Sequence, residues 1–581
     1  MKKGARKKEQ AVRRFRNRSA LVLGFFALTA AALVARAVDL QVLSNDFLAR
    51  EADARHLRTA KISAHRGTIT DRNGEPLAVS TPVDSIWANP GQLAPAADDV
   101  PKLASLLDLD PEQLMRRLTR NMDREFVYLR RHLTPDRADR GQAEDLPGVN
   151  VLREYRRFYP AGEVTGHLLG FTDIDDSGQE GLEFAFDHWL AGKPGAKRVL
   201  KDNRGRSIED VESISPPRHG RTLAASIDLT IQYLAYRELK AAVRRHGAAA
   251  GSIVVLDVDT GEVLAMVNQP AYNPNDRSQL TVERYRNRAV TDILEPGSSV
   301  KPLVMAAALE SGRFRPGSIV DTGPGWVEVG AKRIEDTEDL GPIDLTTVLA
   351  RSSNVGMTKV AMSLEPEQLW QTLSGFGIGS LTSCGFPGES AGLLSHYNHW
   401  RPISQATLAY GYGLSVTPLQ LARGYAVIGS GGLMRPVSLL KLDEPPPANR
   451  VIAESTARQV LGMMEQVVLP GGTGTRADVP GYRIAGKTGT ARKFAAGGYS
   501  EDRYLAIFAG LAPASDPRLA VVVVIDEPAG DAYYGGQVSA PVFARVTSEA
   551  LRLLAVPPDD LPVREPGEVV QAMQAMQAAG R

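Results

Sequence analysis

Hydrophobic and polar positions divide the chain into three regimes. Near the N-terminus, residues 20–35 run without a charge as ALVLGFFALTAAALVA. With Ser19 before the run and Arg36 able to snorkel after it, this approaches the ~20 residues that span a bilayer. From about 43 to 220, apolar residues are scattered among charges. Residues 66–78 read as strand, Asn73-Gly74 turn, strand. Asp110-Pro111 opens a short basic helix with a cap signal. From 221 onward the periodicities sharpen. Asp228 precedes a helix carrying Ile231, Leu234, Ala235, Ala242 and Val243 and ending at Gly247. Residues 252–257 and 262–267 form a hairpin about Thr260-Gly261. Helical and loop sequence fills 310–430. Strands return at 483–485, 504–510 and 519–525, the last apolar throughout, as a strand covered on both faces must be. A helix over 541–554 closes the domain. Helices around an antiparallel sheet, with a helical insert, predict an α+β fold.

These regimes set the domain organisation: a basic tail over 1–18, a transmembrane anchor over 19–38, a β-rich module over 43–220, a large domain over 221–556 and a disordered tail over 557–581. Lys2, Lys3, Arg6, Lys7, Lys8, Arg13, Arg14, Arg16 and Arg18 precede the apolar run against Glu9 alone. That flank places the N-terminus in the cytoplasm and the bulk of the chain across the inner membrane. Ala35-Arg36-Ala37 also fits the A-x-A site of a cleaved signal peptide. The apolar core is long for a signal (~7–15 residues), so it reads as an uncleaved anchor.

Composition narrows the function classes. The 581 residues are 43% hydrophobic and 23% charged with a net charge of +1, which gives no global bias toward nucleic acid. The basic residues between 116 and 140 are interleaved with Asp and Glu and read as a solvated face. A lone cysteine, Cys384, excludes an internal disulfide and a multi-Cys metal site. His396 and His399 have HxxH spacing but no third ligand nearby in sequence. No metal and no cofactor is expected.

The candidate chemistry sits at Glu295-Pro296-Gly297-Ser298-Ser299-Val300-Lys301-Pro302. Pro-Gly is a turn signal, a good helix former follows from Leu303, and Pro302 is tolerated only in a first turn. Ser298 should therefore sit where a turn enters a helix, with Lys301 one turn on along the same face. A Ser hydroxyl needs a base within hydrogen-bond reach. Burial, or the positive end of the helix, would favour the neutral amine of Lys301. S-x-x-K alone is weak, and Ser438-Leu439-Leu440-Lys441 supplies a decoy. Two more short motifs change the picture: Ser352-Ser353-Asn354 after a short helical run, and Lys487-Thr488-Gly489-Thr490 on a strand-like segment. Their joint occurrence in this order is far rarer than any of the three alone.

S-x-x-K, S-x-N and K-T-G in this order resemble the serine acyl-transferases that include penicillin-binding proteins and class A β-lactamases. Ser353 stands where the S-D-N form has Asp, which fits penicillin-binding proteins better. Residues 66–78, 157–162 and 178–183 resemble the non-catalytic pedestal of class B penicillin-binding proteins. Residues 36–41, 410–415 and 533–536 resemble the division-specific branch of that class.

The resemblance implies a peptidoglycan D,D-transpeptidase, inhibited by β-lactams, whose donor is a stem pentapeptide ending in D-Ala-D-Ala. Ser298 would be the nucleophile and Lys301 its base, Ser352 a proton relay, and Asn354 a holder of the donor peptide. Lys487, Thr488, Gly489 and Thr490 would bind near the terminal carboxylate. Backbone N–H groups of Ser298 and Thr490 would form the oxyanion hole. A membrane-embedded glycosyltransferase of the FtsW type and other division proteins would be partners. An elongation-specific transpeptidase, a D,D-carboxypeptidase and a β-lactam sensor share the motifs. A β-lactamase would need a deacylating Glu, and the sequence offers no convincing candidate.

Overall fold

The computed structural model describes residues 2–43, 57–142, 146–201, 207–278, 280–495 and 498–560. The chain forms two compact units: Met1–Ala64, Pro82–Tyr155 and Gly192–His219 make one, and His65–Thr81, Arg156–Ala191 and Gly220–Arg581 make the other. The 43–220 stretch expected as one module is thus shared between them. The physical reason is a buried charge cluster inside the second unit. Arg66 and Arg157 each place Nε 2.6 Å from the fully buried carboxylate of Glu183, and Arg66 Nη1 lies 2.7 Å from Asp187. Buried charges persist only when paired and hydrogen-bonded, so these segments fold where their partners are.

In the first unit, a helix over Lys2–Val38 continues as a π-turn over Asp39–Leu43. The basic residues expected as a tail are part of that helix. Its span Val12–Leu43 is long and apolar enough to cross a membrane, and none of the apolar stretch is buried against the rest of the chain. Farther on, Asp110 caps the helix Pro111–Arg120 by accepting from Gln113 N at 2.7 Å. Leu114 and Leu118 of that helix join Leu103, Leu107, Leu129 and Leu133 in a small core. Strands Leu57–Ile62, Gly195–Lys201 and Ser207–Ser215 form an antiparallel sheet with Gly195–Lys201 in the middle.

The second unit carries a five-stranded antiparallel sheet of β1 (Ala250–Asp257), β2 (Val263–Gln269), β3 (Ala485–Ala495), β4 (Gly498–Ala512) and β5 (Leu519–Asp526), in the order β2-β1-β5-β4-β3. The continuous apolar run of β5 divides between two cores. Val521, Val523 and Ile525 pack with Ile231, Leu239, Val546 and Phe543 from the helices Leu229–Arg245 and Ala540–Leu553. Ala520, Val522 and Val524 face Leu419, Ala422 and Ala426 of the helix Pro418–Gly429. A strand covered on both faces has no polar side, which is why alternation is missing from its sequence. Asp228 accepts from Thr230 N and Ile231 N, as a cap residue should.

Two expectations need amendment. The 310–430 region is not only helix and loop. It contains short strands at Ile319–Asp321, Trp326–Val329, Lys332–Glu335 and Pro342–Asp344, paired as two small ladders. Three or four residues with charges among them leave no readable period. Residues 557–560, assigned to the tail, are held to the second unit: Asp559 accepts from Arg483 N at 2.7 Å and from Ser515 N at 3.1 Å. The remainder of that tail, 561–581, lies outside the described residues.

Candidate active site

The nucleophile candidate enters its helix as expected. A 3₁₀ turn over Gly297–Val300 leads into the helix Lys301–Glu310 with Pro302 in its first turn. Gly297 has φ +52°, a left-handed conformation that costs a side-chain-bearing residue ~1–2 kcal/mol. The helix is buried on every side from Lys301 to Leu309. Ser298 itself stays partly exposed and lines a cavity of about 750 Å³.

S-x-N and K-T-G come to this turn from opposite directions. β3 is the edge strand of the sheet, and Lys487, Thr488 and Thr490 lie opposite Ala509, Phe508 and Ala506 of β4. A Cβ on Gly489 would stand 2.8 Å from the Pro296 carbonyl oxygen and 3.3 Å from Ser299 Cβ. Only glycine lets the strand approach the nucleophile turn this closely. Ser352 follows the helix Leu345–Ala350 and has φ +61°, so its peptide and hydroxyl both turn toward the two lysines.

Lys301 and Lys487 are both fully buried, and their amines meet at Ser352. Lys301 Nζ lies 2.5 Å from Ser352 O, 3.1 Å from Ser352 Oγ and 2.9 Å from Asn354 Oδ1. Lys487 Nζ lies 3.0 Å from Ser352 Oγ and 3.1 Å from Thr488 O. Burial, reinforced by the charge of Lys487 and opposed by that of Asp336, holds the Lys301 amine well below the ordinary lysine range. Burial alone pushes Lys487 down to about 7. Ser352 O and Asn354 Oδ1 can only accept, so each takes an N–H of the Lys301 amine, while Ser352 Oγ, the third neighbour, can accept or donate. Among the described residues no hydrogen bond joins Ser298 Oγ to Lys301. Such contacts often tighten only when substrate is bound.

Sequence reading missed Asp336, at the end of the strand Lys332–Glu335. Its carboxylate accepts from Asn354 N at 2.5 Å, from Val355 N at 3.1 Å and from Ser353 Oγ at 2.5 Å. Ser353 Oγ in turn accepts from Gly356 N at 2.8 Å. Three of the free N–H groups that begin the helix Asn354–Met362 are thereby satisfied. The acid at this S-x-N turn arrives through space rather than from within the motif, and no local pattern signals it. Thr473 was also missed; its hydroxyl lies 2.9 Å from that of Thr488.

The decoy stays away from this centre. Ser438 lies in an isolated bridge, its hydroxyl donates to Leu440 O at 2.7 Å, and no helix places Lys441 one turn on. His396 packs at a tilt against Trp370 and Tyr397, with ring centroids 4.7 and 4.4 Å away. The acidic residues lining the cavity are occupied: Glu335 pairs with Arg333, Glu338 with Arg351, and Asp336 caps its helix.

Comparison with known proteins agrees with this geometry. The penicillin-binding protein transpeptidase domain matches residues 251–548, and the penicillin-binding protein dimerisation domain matches residues 61–225. The peptidoglycan D,D-transpeptidase FtsI of Escherichia coli strain K12 is 47% identical over 558 residues, covering 95% of this chain and 94% of that protein. The transpeptidase domain of Burkholderia pseudomallei penicillin-binding protein 3 is 44% identical, with a TM-score of 0.54, covering 58% of this chain and 98% of that one. A peptidoglycan synthetase of Bifidobacterium adolescentis is 27% identical with a TM-score of 0.70, covering 87% of this chain and 98% of that one. A fold whose two buried lysines meet at Ser352 in a cavity that Ser298 also lines, matched over nearly its whole length at this identity, leaves one assignment: the chain belongs to the class B penicillin-binding proteins, the peptidoglycan D,D-transpeptidases.

Proposed function

We propose that the protein cross-links peptidoglycan stem peptides at the division septum through an acyl-enzyme on Ser298. The observation that carries this reading is the meeting of two buried amines at Ser352 Oγ, beside a partly exposed serine in a cavity. Ser298 Oγ attacks the carbonyl carbon of the penultimate D-Ala, and its proton passes to the lone pair of Lys301. Backbone N–H groups of Ser298 and Thr490 receive the oxyanion; losing one such donor typically costs ~10²–10³ in rate. The tetrahedral adduct collapses, the C–N bond to terminal D-Ala breaks, and the departing nitrogen takes a proton relayed through Ser352 Oγ. An amine of a second stem then attacks the ester, its proton returns through the same groups, and Ser298 is regenerated. Asn354 holds the donor peptide. Lys487, Thr488 and Thr490 gather about the terminal carboxylate, with Gly489 allowing their strand to approach.

Incubation with penicillin followed by intact-protein mass spectrometry and peptide mapping tests this reading. One slowly released penicilloyl adduct is expected, on the peptide containing Ser298, because every carboxylate lining the cavity is already engaged. An adduct on Ser438, or penicillin turnover at β-lactamase rates, would overturn it.

The same reading places the N-terminus in the cytoplasm, the apolar helix in the inner membrane and the enzyme domain in the periplasm, beside an FtsW-type glycosyltransferase and other division proteins. Its support is the run of basic residues that precedes the apolar stretch within the N-terminal helix. Membrane fractions should retain the protein with its N-terminal residues intact; a soluble mature form beginning at Val38 would sink the anchor assignment.

A further inference from the structure

A donor carboxylate is best held by a cation that is accessible and charged at every working pH. Lys487 does not fully meet either condition. It is completely buried, its burial brings it to about 7, and its amine is turned to Ser352 and Thr488. It is not among the residues that line the cavity.

The cavity wall carries five charged residues, and four already have partners in the protein. Glu338 pairs with Arg351, Glu335 with Arg333 at 2.8 Å, and Asp336 caps the helix that begins at Asn354. The fifth is Arg476, exposed on the wall, for which no carboxylate partner exists among the described residues.

Its backbone is held in place. The 3₁₀ turn Thr475–Ala477 buries Ala477 completely, and Ala477 N donates to Gly474 O at 2.9 Å. Thr473 N donates to Ala350 O at 3.3 Å, beside the S-x-N turn, while the Thr473 hydroxyl meets that of Thr488 at 2.9 Å. A guanidinium presented from this loop, with the hydroxyls of Thr488 and Thr490 on the same wall, supplies the forked donors that match a carboxylate.

We propose that Arg476 adds a permanent cation to the Lys487, Thr488 and Thr490 groups that receive the terminal carboxylate of the donor. This rests on the reading of the site given above. Arg476 then acts in substrate binding more than in the chemical step. Its contribution is uniform to ground and transition states, so it moves the affinity for the donor and leaves the rate at saturation nearly untouched.

The test compares acylation of the full-length, detergent-solubilised protein by benzylpenicillin and by its methyl ester, which differ at the charge in question. The wild type should prefer the acid. Arg476→Ala and Arg476→Gln should each narrow the acid-to-ester ratio of second-order rates by about tenfold or more, through weaker binding of the acid. Arg476→Lys should restore part of the ratio, since it keeps the charge and loses the fork. A melting curve identifies any variant that fails to fold, and the Gln variant then carries the comparison. An unchanged ratio in both the Ala and the Gln variants, with Ser298 still acylated, overturns the assignment of Arg476 alone. So does a ratio that collapses in Lys487→Met but not in Arg476→Gln. A wild-type protein with no adduct on Ser298 overturns instead the reading of the site on which this proposal rests.

Discussion

Lys301→Ala is expected to lower the second-order rate of acylation by penicillin ~10³-fold, and Ser298→Ala to abolish the adduct, with both proteins still folded. A positioned general base contributes ~10²–10⁴ in rate. No histidine lies among the residues lining the cavity to replace the amine. The amine is fit for the role because it is buried and near a second cation, which together hold it well below the ordinary ~10.4 of lysine. The base must be neutral, so acylation should fall as pH drops through the depressed value of Lys301, far below where an exposed lysine would titrate. The same burial has a stability consequence of known sign. A lysine whose native value is depressed binds fewer protons folded than unfolded, so stability rises with pH between the two values. For Lys487 the penalty is complete below about 7 and gone above the ordinary lysine value. Acylation rates across pH, measured beside melting curves, check both statements. Should Lys301→Ala retain acylation within tenfold of wild type while Lys487→Ala abolishes it, the base would be the other lysine.

Ser352→Ala and Ser352→Gly should both lose ~10²-fold in acylation yet differ in stability. The hydroxyl lies 3.1 Å from one amine and 3.0 Å from the other, and either substitution removes this bridge between them. The backbone acts separately. At φ +61° a residue with a Cβ is strained by ~1–2 kcal/mol, and glycine is not. Asp336 and Ser353 cap the helix that starts two residues on. The glycine variant should therefore melt above the alanine variant, less whatever glycine's greater freedom in the unfolded chain takes back. Equal inactivity with unequal melting separates the relay from the turn that positions it. A glycine variant acylated at the wild-type rate would remove Ser352 from the proposed proton path.

Much of this protein could be read before any coordinate was known. The apolar run near the N-terminus, the capped helix after Asp228, the hairpin about Thr260-Gly261 and the apolar strand β5 are local patterns, produced by neighbours in sequence and legible there. The turn into a helix at Ser298 follows from Pro-Gly and from Pro302, which constrain the backbone wherever they occur. The three short motifs named the residues of the candidate site because each is written within four consecutive positions.

What only the tertiary structure decided is whatever depends on groups distant in sequence. Asp336 reaches the S-x-N turn from 18 residues before Asn354, and Arg66 finds Glu183 from 117 residues away. Neither spacing has a period, because a salt bridge or a helix cap requires only that two groups meet in space. The depressed values of Lys301 and Lys487 belong to the same class. Desolvation is a property of everything packed around an amine, here a fully buried helix and the edge of a sheet, so no short stretch of sequence contains it. The sequence by itself determined which residues could carry acyl transfer. The packing decided their protonation, their strain and which charge in the cavity was left free.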